Sequence, residues 1–188
     1  MTELLLDLAL MLPVDATPEE RQLRATLAAR LGYFAVHVPL PAGTNLDPDE
    51  IDRLNAAADP AMIVIDDGTD VEGIVRRNDP DLVRAARAIR DASNDQRPLI
   101  VAVPVSVGRT LNEAIARADR DSRFVGDAHP RESGIFGTFE EAQEQVLALA
   151  QAGAEVLLVT VPEELDIADI LAQVRALVVG ATPALFQR

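Results

Sequence analysis

Cysteine, lysine and tryptophan are absent from the 188 residues, and aromatic side chains make up only 3% of them. Without cysteine there is no thiolate nucleophile, disulfide, zinc–thiolate site or iron–sulfur cluster. Without lysine there is no Schiff-base chemistry and no P-loop lysine. With so few rings, stacking platforms for bases or sugars are nearly missing. Positive charge is scarce as well: 17 basic residues face 31 acidic ones, for a net charge of -14. A duplex binder needs a cationic face to displace counterions, and here the arginines are scattered, so nucleic acid is not an expected partner. No apolar run is long and unbroken enough to cross a bilayer. Met1-Thr2-Glu3 lacks the basic start of a signal peptide. No membrane partner and a cytoplasmic location are therefore expected.

What is present is a chain that is 48% apolar, mainly Ala, Leu, Val and Ile. That is enough for one domain with a real core, expected to span residues 1–188. An apolar run over residues 4–14 is followed by Thr17-Pro18-Glu19-Glu20. Thr17 suits an N-cap, Pro18 the first helical position and Glu20 the acid of a capping box. Leu23, Leu27 and Leu31 then recur at helical spacing until Gly32, and a β-like run follows over residues 33–40. Strand, helix, strand is the pattern of a parallel crossover unit.

The alternation continues. Asp47-Pro48 opens a helix to about Ala58, residues 61–65 read as a strand, and Asp79-Pro80 opens a helix to about Ala92. Residues 99–107 read as a strand, and Thr110 caps a helix to about Arg120. A long loop over residues 121–137 is more often functional than accidental. Thr138 caps a helix to Ala152, residues 155–161 form the last strand and residues 167–179 the last helix, before an extended tail over 180–188. The segment 66–78 has no clear pattern. The expected fold is α/β, built from parallel strand–helix units with about five strands and six helices. Strands that read as continuous apolar runs are covered on both faces.

Ligands of such folds bind beyond the C-terminal ends of the strands. Asp15 follows the first strand, His37 ends the second, and Asp66-Asp67 follows the third. Adjacent carboxylates on a strand point to opposite faces, so Asp66-Asp67 reads as a solvated turn before it reads as a metal or acid–base pair. His37 reads as a partly buried structural histidine or a proton shuttle, and His129 as a loop residue beside Pro130 and Arg131. The two histidines are too far apart in sequence to make a metal motif, and no metal is expected. The segment Ser133-Gly134-Ile135-Phe136-Gly137-Thr138 combines two glycines with a capped helix start. Free amides at a positive helix terminus attract anions. Arg131 adds charge, whereas Glu140 and Glu141 oppose it. Ser106, Gly108 and Arg109, before Thr110, have the same potential. Ser106, Gly108, Arg109, Arg131, Ser133, Gly134, Gly137 and Thr138 are the candidate cofactor-binding residues; no catalytic residue is assigned.

Three stretches resemble the bacterial luciferase-like oxidoreductases. Residues 137–156 are similar to a segment near that family's C-terminus, residues 17–36 to its first helix and second strand, and Pro104 to Ala114 to a late strand and helix. The matches run in the right order and cover about half of the chain. They consist of packing and helix-start chemistry, without a catalytic signature. The resemblance implies a TIM-barrel-like fold and monooxygenation or hydride transfer with FMN or a deazaflavin, whose ring carries the chemistry. A full barrel needs roughly 250 residues, so the chain would be a shortened member. Its open sheet edges would invite a homodimer. Two other readings stand beside this one: a degenerate, non-catalytic relative acting as a ligand-binding or protein-interaction scaffold, and an unrelated α/β phosphate-ester binder.

Overall fold

In a computed structural model, residues 6–41, 43–66, 73–163 and 166–181 are described. In chain order the elements are β1 (Asp7–Met11), α1 (Pro18–Arg30), β2 (Ala35–Pro39), α2 (Pro48–Ala58), β3 (Met62–Asp66), β4 (Ile74–Val75) and α3 (Pro80–Ser93). They continue with β5 (Ile100–Gly108), α4 (Leu111–Arg120), a 3-10 turn at Gly126–Ala128, α5 (Pro130–Ser133), β6 (Ile135–Thr138), α6 (Phe139–Gln151), β7 (Val156–Thr160) and α7 (Ile167–Ala181).

The helix starts are those the local chemistry dictates. Thr17 and Glu20 form a capping box on α1, and Thr138 and Glu141 form one on α6. Asp47, Asp79 and Thr110 cap α2, α3 and α4 with their side chains.

All pairings are parallel, and the strands run in the order β3-β2-β1-β7-β5-β4, with β6 on β5. The first strand thus lies between the second and the last, as in a barrel, and the fold is a parallel, TIM-barrel-like α/β sheet. The first and last helices meet accordingly. Tyr33, at the end of the α1 turn, donates its hydroxyl to the Leu171 carbonyl of α7 at 2.9 Å, and Arg175 of α7 reaches the Leu31 carbonyl at 3.1 Å.

Among the described residues seven strands are seen where sequence patterning marks five. The two others are too short to carry a pattern. β4, with two residues, lies in the segment that had no clear reading, and β6, with four, lies in the long loop. That loop is not structureless: it also holds the 3-10 turn and α5. β5 pairs with β7 as far as Pro104 and with β6 from Val105 onward. Asn78, just beyond β4, donates its amide to the Ser133 carbonyl and its side chain to Gly134, so β6 takes over from β4 along the sheet. The expected extended tail past Ala181 and the turn residues Asp67 and Gly68 lie outside the described residues.

The two faces of the sheet differ. Leu8, Leu10, Val36, Val38, Val101, Val103, Leu157 and Val159 point into one core with residues of the helices, among them Leu54, Leu149 and Leu171. Their neighbours in sequence, Ala9, Ala35, Val156 and Leu158, form a separate small cluster on the other face with Met11, Val64, Ile100 and Ala102. Strand alternation makes this split unavoidable.

Candidate functional site

The C-terminal ends of the strands form one rim, and the candidate segments fall on it. β5 and β6 are neighbours in register, with Ser106 opposite Phe136, Val107 opposite Gly137 and Gly108 opposite Thr138. The fold therefore brings together two stretches far apart in sequence. Their polar groups, however, already have internal partners. The buried Ser106 hydroxyl donates to the Ala114 carbonyl at 2.9 Å. Gly108 makes room for a tight turn, since a Cβ there would sit 2.6 Å from that of Glu113. The Arg109 amide donates to the Glu113 carboxylate at 2.6 Å.

On β6 the pattern is the same. Gly134 lies so close under β5 that a Cβ would be 2.1 Å from the Pro104 carbonyl oxygen. Ser133 donates to the Asp127 carbonyl. Thr138 gives both its amide and its hydroxyl to Glu141, at 2.8 and 2.9 Å. Gly137, at φ 131°, lets that carboxylate approach. Arg131 stacks its guanidinium over the Phe136 ring at 5.4 Å. His129 caps α5: its Nδ1 accepts from the Arg131 amide at 3.1 Å and its Nε2 lies 3.2 Å from Asp119. The cleft beside Phe136 and Gly137 is also lined by Glu141 and Glu144, which oppose an anion.

A more charged cleft, of about 340 Å³, opens over the ends of β1 and β7. Pro13, Asp15 and Ala16 reach it from β1, Glu20 and Arg24 from α1, Glu163 from β7, and residues 120–123 from the end of α4. At its base is Asp121, whose carboxylate is 3% exposed. It accepts from Arg123 Nε at 2.9 Å and Nη2 at 2.6 Å, from the Arg123 amide at 3.0 Å and from the Glu163 amide at 2.9 Å. Arg123 also donates to the Val161 carbonyl at 2.9 Å and lies 3.5 Å from Glu163, which Arg24 holds at 2.6 Å.

Burial alone would push the Asp121 carboxyl up. The hydrogen bonds from Arg123 and the Glu163 amide outweigh it and hold the group at about 2. Burial acts on Arg123 in the opposite sense and is overcome by Asp121, Glu163 and Asp15, so its pKa is raised. Sequence reading singled out Asp15 but missed Arg24, Asp121, Arg123 and Glu163. The spacing Asp-x-Arg at 121–123 was visible, but nothing in the sequence shows that the end of α4 reaches the end of β7.

No family model and no curated protein matches the chain. Among solved structures it is similar to (S)-3-O-geranylgeranylglyceryl phosphate synthase from Thermoplasma acidophilum in complex with substrate sn-glycerol-1-phosphate, at 15% identity over 93% of each chain and a TM-score of 0.42. A likeness so distant assigns no activity. These findings correct the luciferase-like reading. No family model matches the chain, a luciferase-like one included. The three resembling stretches are capping boxes, glycine stops and buried strands, which any β/α chain needs. The oxidoreductase function goes with that reading. The idea of a degenerate, non-catalytic member gains no support from either comparison.

Proposed function

We propose that this protein binds a small ligand carrying both a positive and a negative group, seated in the cleft over the ends of β1 and β7. The carrying observation is the alternation of charge around the cleft: Arg24, Arg120 and Arg123 stand among Asp15, Glu20, Asp121 and Glu163. Such a lining complements a zwitterion, because each ligand charge finds an opposite partner without leaving a buried protein charge unpaired. Asp15 and Ser122 form no hydrogen bond with a described residue and remain available to a ligand. A flat apolar ring would strand the charged groups instead.

The test is calorimetry of the purified protein against the standard amino acids and phosphoethanolamine. Binding at a Kd of about 1 mM or tighter, weakened at least tenfold by Asp15→Asn, is the expected result. Asp15 is chosen for substitution because its side chain forms no hydrogen bond with a described residue and Asp15→Asn keeps its shape. No saturable heat from any zwitterion, in a protein shown to be folded, rejects the reading.

The same proposal includes a homodimer. β3 is an edge strand of the described sheet, and Met62 and Ile65 on it are 49% and 40% exposed. Unpaired strand edges with apolar side chains attract another chain, and a second copy is the occupant proposed.

A further inference from the structure

We infer that Arg24 holds the ligand's negative group, that this group is a carboxylate, and that it enters by taking the place of Glu163. The inference rests on the zwitterion reading of the cleft and narrows its ligand class to amino acids. Arg24 projects from α1 and lines the cleft. Its side chain is only 9% exposed, yet among the described residues it bonds a single partner: Nη2 donates to a Glu163 carboxylate oxygen at 2.6 Å. The rest of its guanidinium fork, Nε and Nη1, bonds no described residue.

Glu163 differs from the other acids of the cleft. Asp121 accepts from Arg123 and from two backbone amides, and Glu20 accepts from the Thr17 amide at 2.8 Å as part of the α1 cap. The Glu163 side chain is 48% exposed, and beyond Arg24 its carboxylate meets only Arg123, at 3.5 Å. Arg123 is meanwhile held by Asp121 and the Val161 carbonyl. The backbone at Glu163 is fixed separately, because its amide donates to Asp121 at 2.9 Å. The side chain can therefore swing into solvent while the loop stays in place. A buried guanidinium left unpaired is costly, so an incoming group must bring the charge that Glu163 takes away. A carboxylate does so one for one, and its planar pair of oxygens fits the arginine fork. A phosphate adds a second negative charge to a cleft that already holds Asp15, Glu20 and Asp121. A neutral ligand leaves the Arg24–Glu163 pair closed. The ligand's ammonium then falls to Asp15, which has no hydrogen bond to a described residue.

Calorimetry of the wild type and of Glu163→Gln against the standard amino acids, phosphoethanolamine and ethanolamine tests this. Glu163→Gln keeps the shape of the side chain but turns a charged competitor into a neutral one. The amino acids that bind the wild type should therefore bind it about fivefold tighter or more. Phosphoethanolamine should bind more weakly than those amino acids, and ethanolamine, which has no anionic group, should give no saturable heat. Arg24→Gln, shown to be folded by circular dichroism, should weaken amino-acid binding about tenfold or more. If Arg24→Gln fails to fold, Glu163→Gln still decides, since it changes a half-exposed side chain. Equal Kd values for the wild type and Glu163→Gln, or phosphoethanolamine binding tighter than every amino acid, overturn this inference and leave the zwitterion cleft standing. No zwitterion binding to either protein, both folded, removes the two together.

Discussion

Asp121 shows how one side chain can tie several loops. Its carboxylate joins the end of α4 to the Glu163 amide beyond β7, and it neutralises an Arg123 that also holds the Val161 carbonyl. Asp121→Ala leaves a guanidinium and an amide without their partner and should cost about 3 kcal/mol in urea unfolding. A loss under about 0.5 kcal/mol, as at ordinary surface positions, would show that the network is replaced by water. The pH sign is fixed by the depressed pKa. The folded value, about 2, lies below the unfolded value. The carboxylate's stabilisation is therefore complete above about pH 4 and drains away as the pH falls toward 2. In Asp121→Asn that part of the acid loss should be missing. The half-buried Asp95, held at about 2 by Arg97, contributes its own share and is the control.

At the scale of the element, β6 is the instructive case. It has only four residues, pairs with β5 on one side, and borrows a side chain for its other edge. Gln145 of α6 accepts from the Phe136 amide at 3.2 Å and donates to the Phe136 carbonyl at 2.8 Å, as a further strand would. The same Gln145 oxygen accepts from Asn78 at 2.7 Å. Two substitutions separate the forces here. Thr138→Ala removes the cap of α6 and should cost about 1 kcal/mol. Gly134→Ala places a methyl against the Pro104 carbonyl and should cost about 1–3 kcal/mol, because β5 and β6 must part to admit it. If both variants matched the wild type in thermal unfolding, β6 would contribute little to the folded state.

Among the described residues the sheet is parallel, its helices pack on the larger core face, and its two ends differ. Arg90 of α3 clamps the carbonyls of Gly73, Arg97 and Pro98, tying together the entries of β4 and β5 at the N-terminal side. The C-terminal side carries the charged cleft. In parallel α/β folds a stabilising rim usually lies opposite the rim where ligands bind. Among the described residues, no helix is long and apolar enough to cross a membrane. The proposed homodimer belongs to this scale. Light scattering should give twice the 20.2 kDa chain mass, and Met62→Lys should shift it toward the single-chain value. A monomer at all concentrations would reject the dimer and leave β3 as a tolerated edge.

The parallel strand–helix alternation was determined by the sequence alone. Thr17 with Glu20, Asp79 with Pro80, and Thr138 with Glu141 are local chemistry, settled within one helical turn. Continuous apolar strands likewise declare burial without knowing their neighbours. The short strands β4 and β6 were not legible, because two and four residues carry no periodicity and exist only through their partners on β5. The sites were legible in location but not in membership. Strand ends could be listed, and Asp15, His37 and Asp66 were among them. Only the tertiary structure put Asp66 diagonally across from His37 and brought Asp121 and Arg123 beneath Glu163. Helix caps are decided by residues three apart, whereas a site is decided by strand register and by where α4 ends.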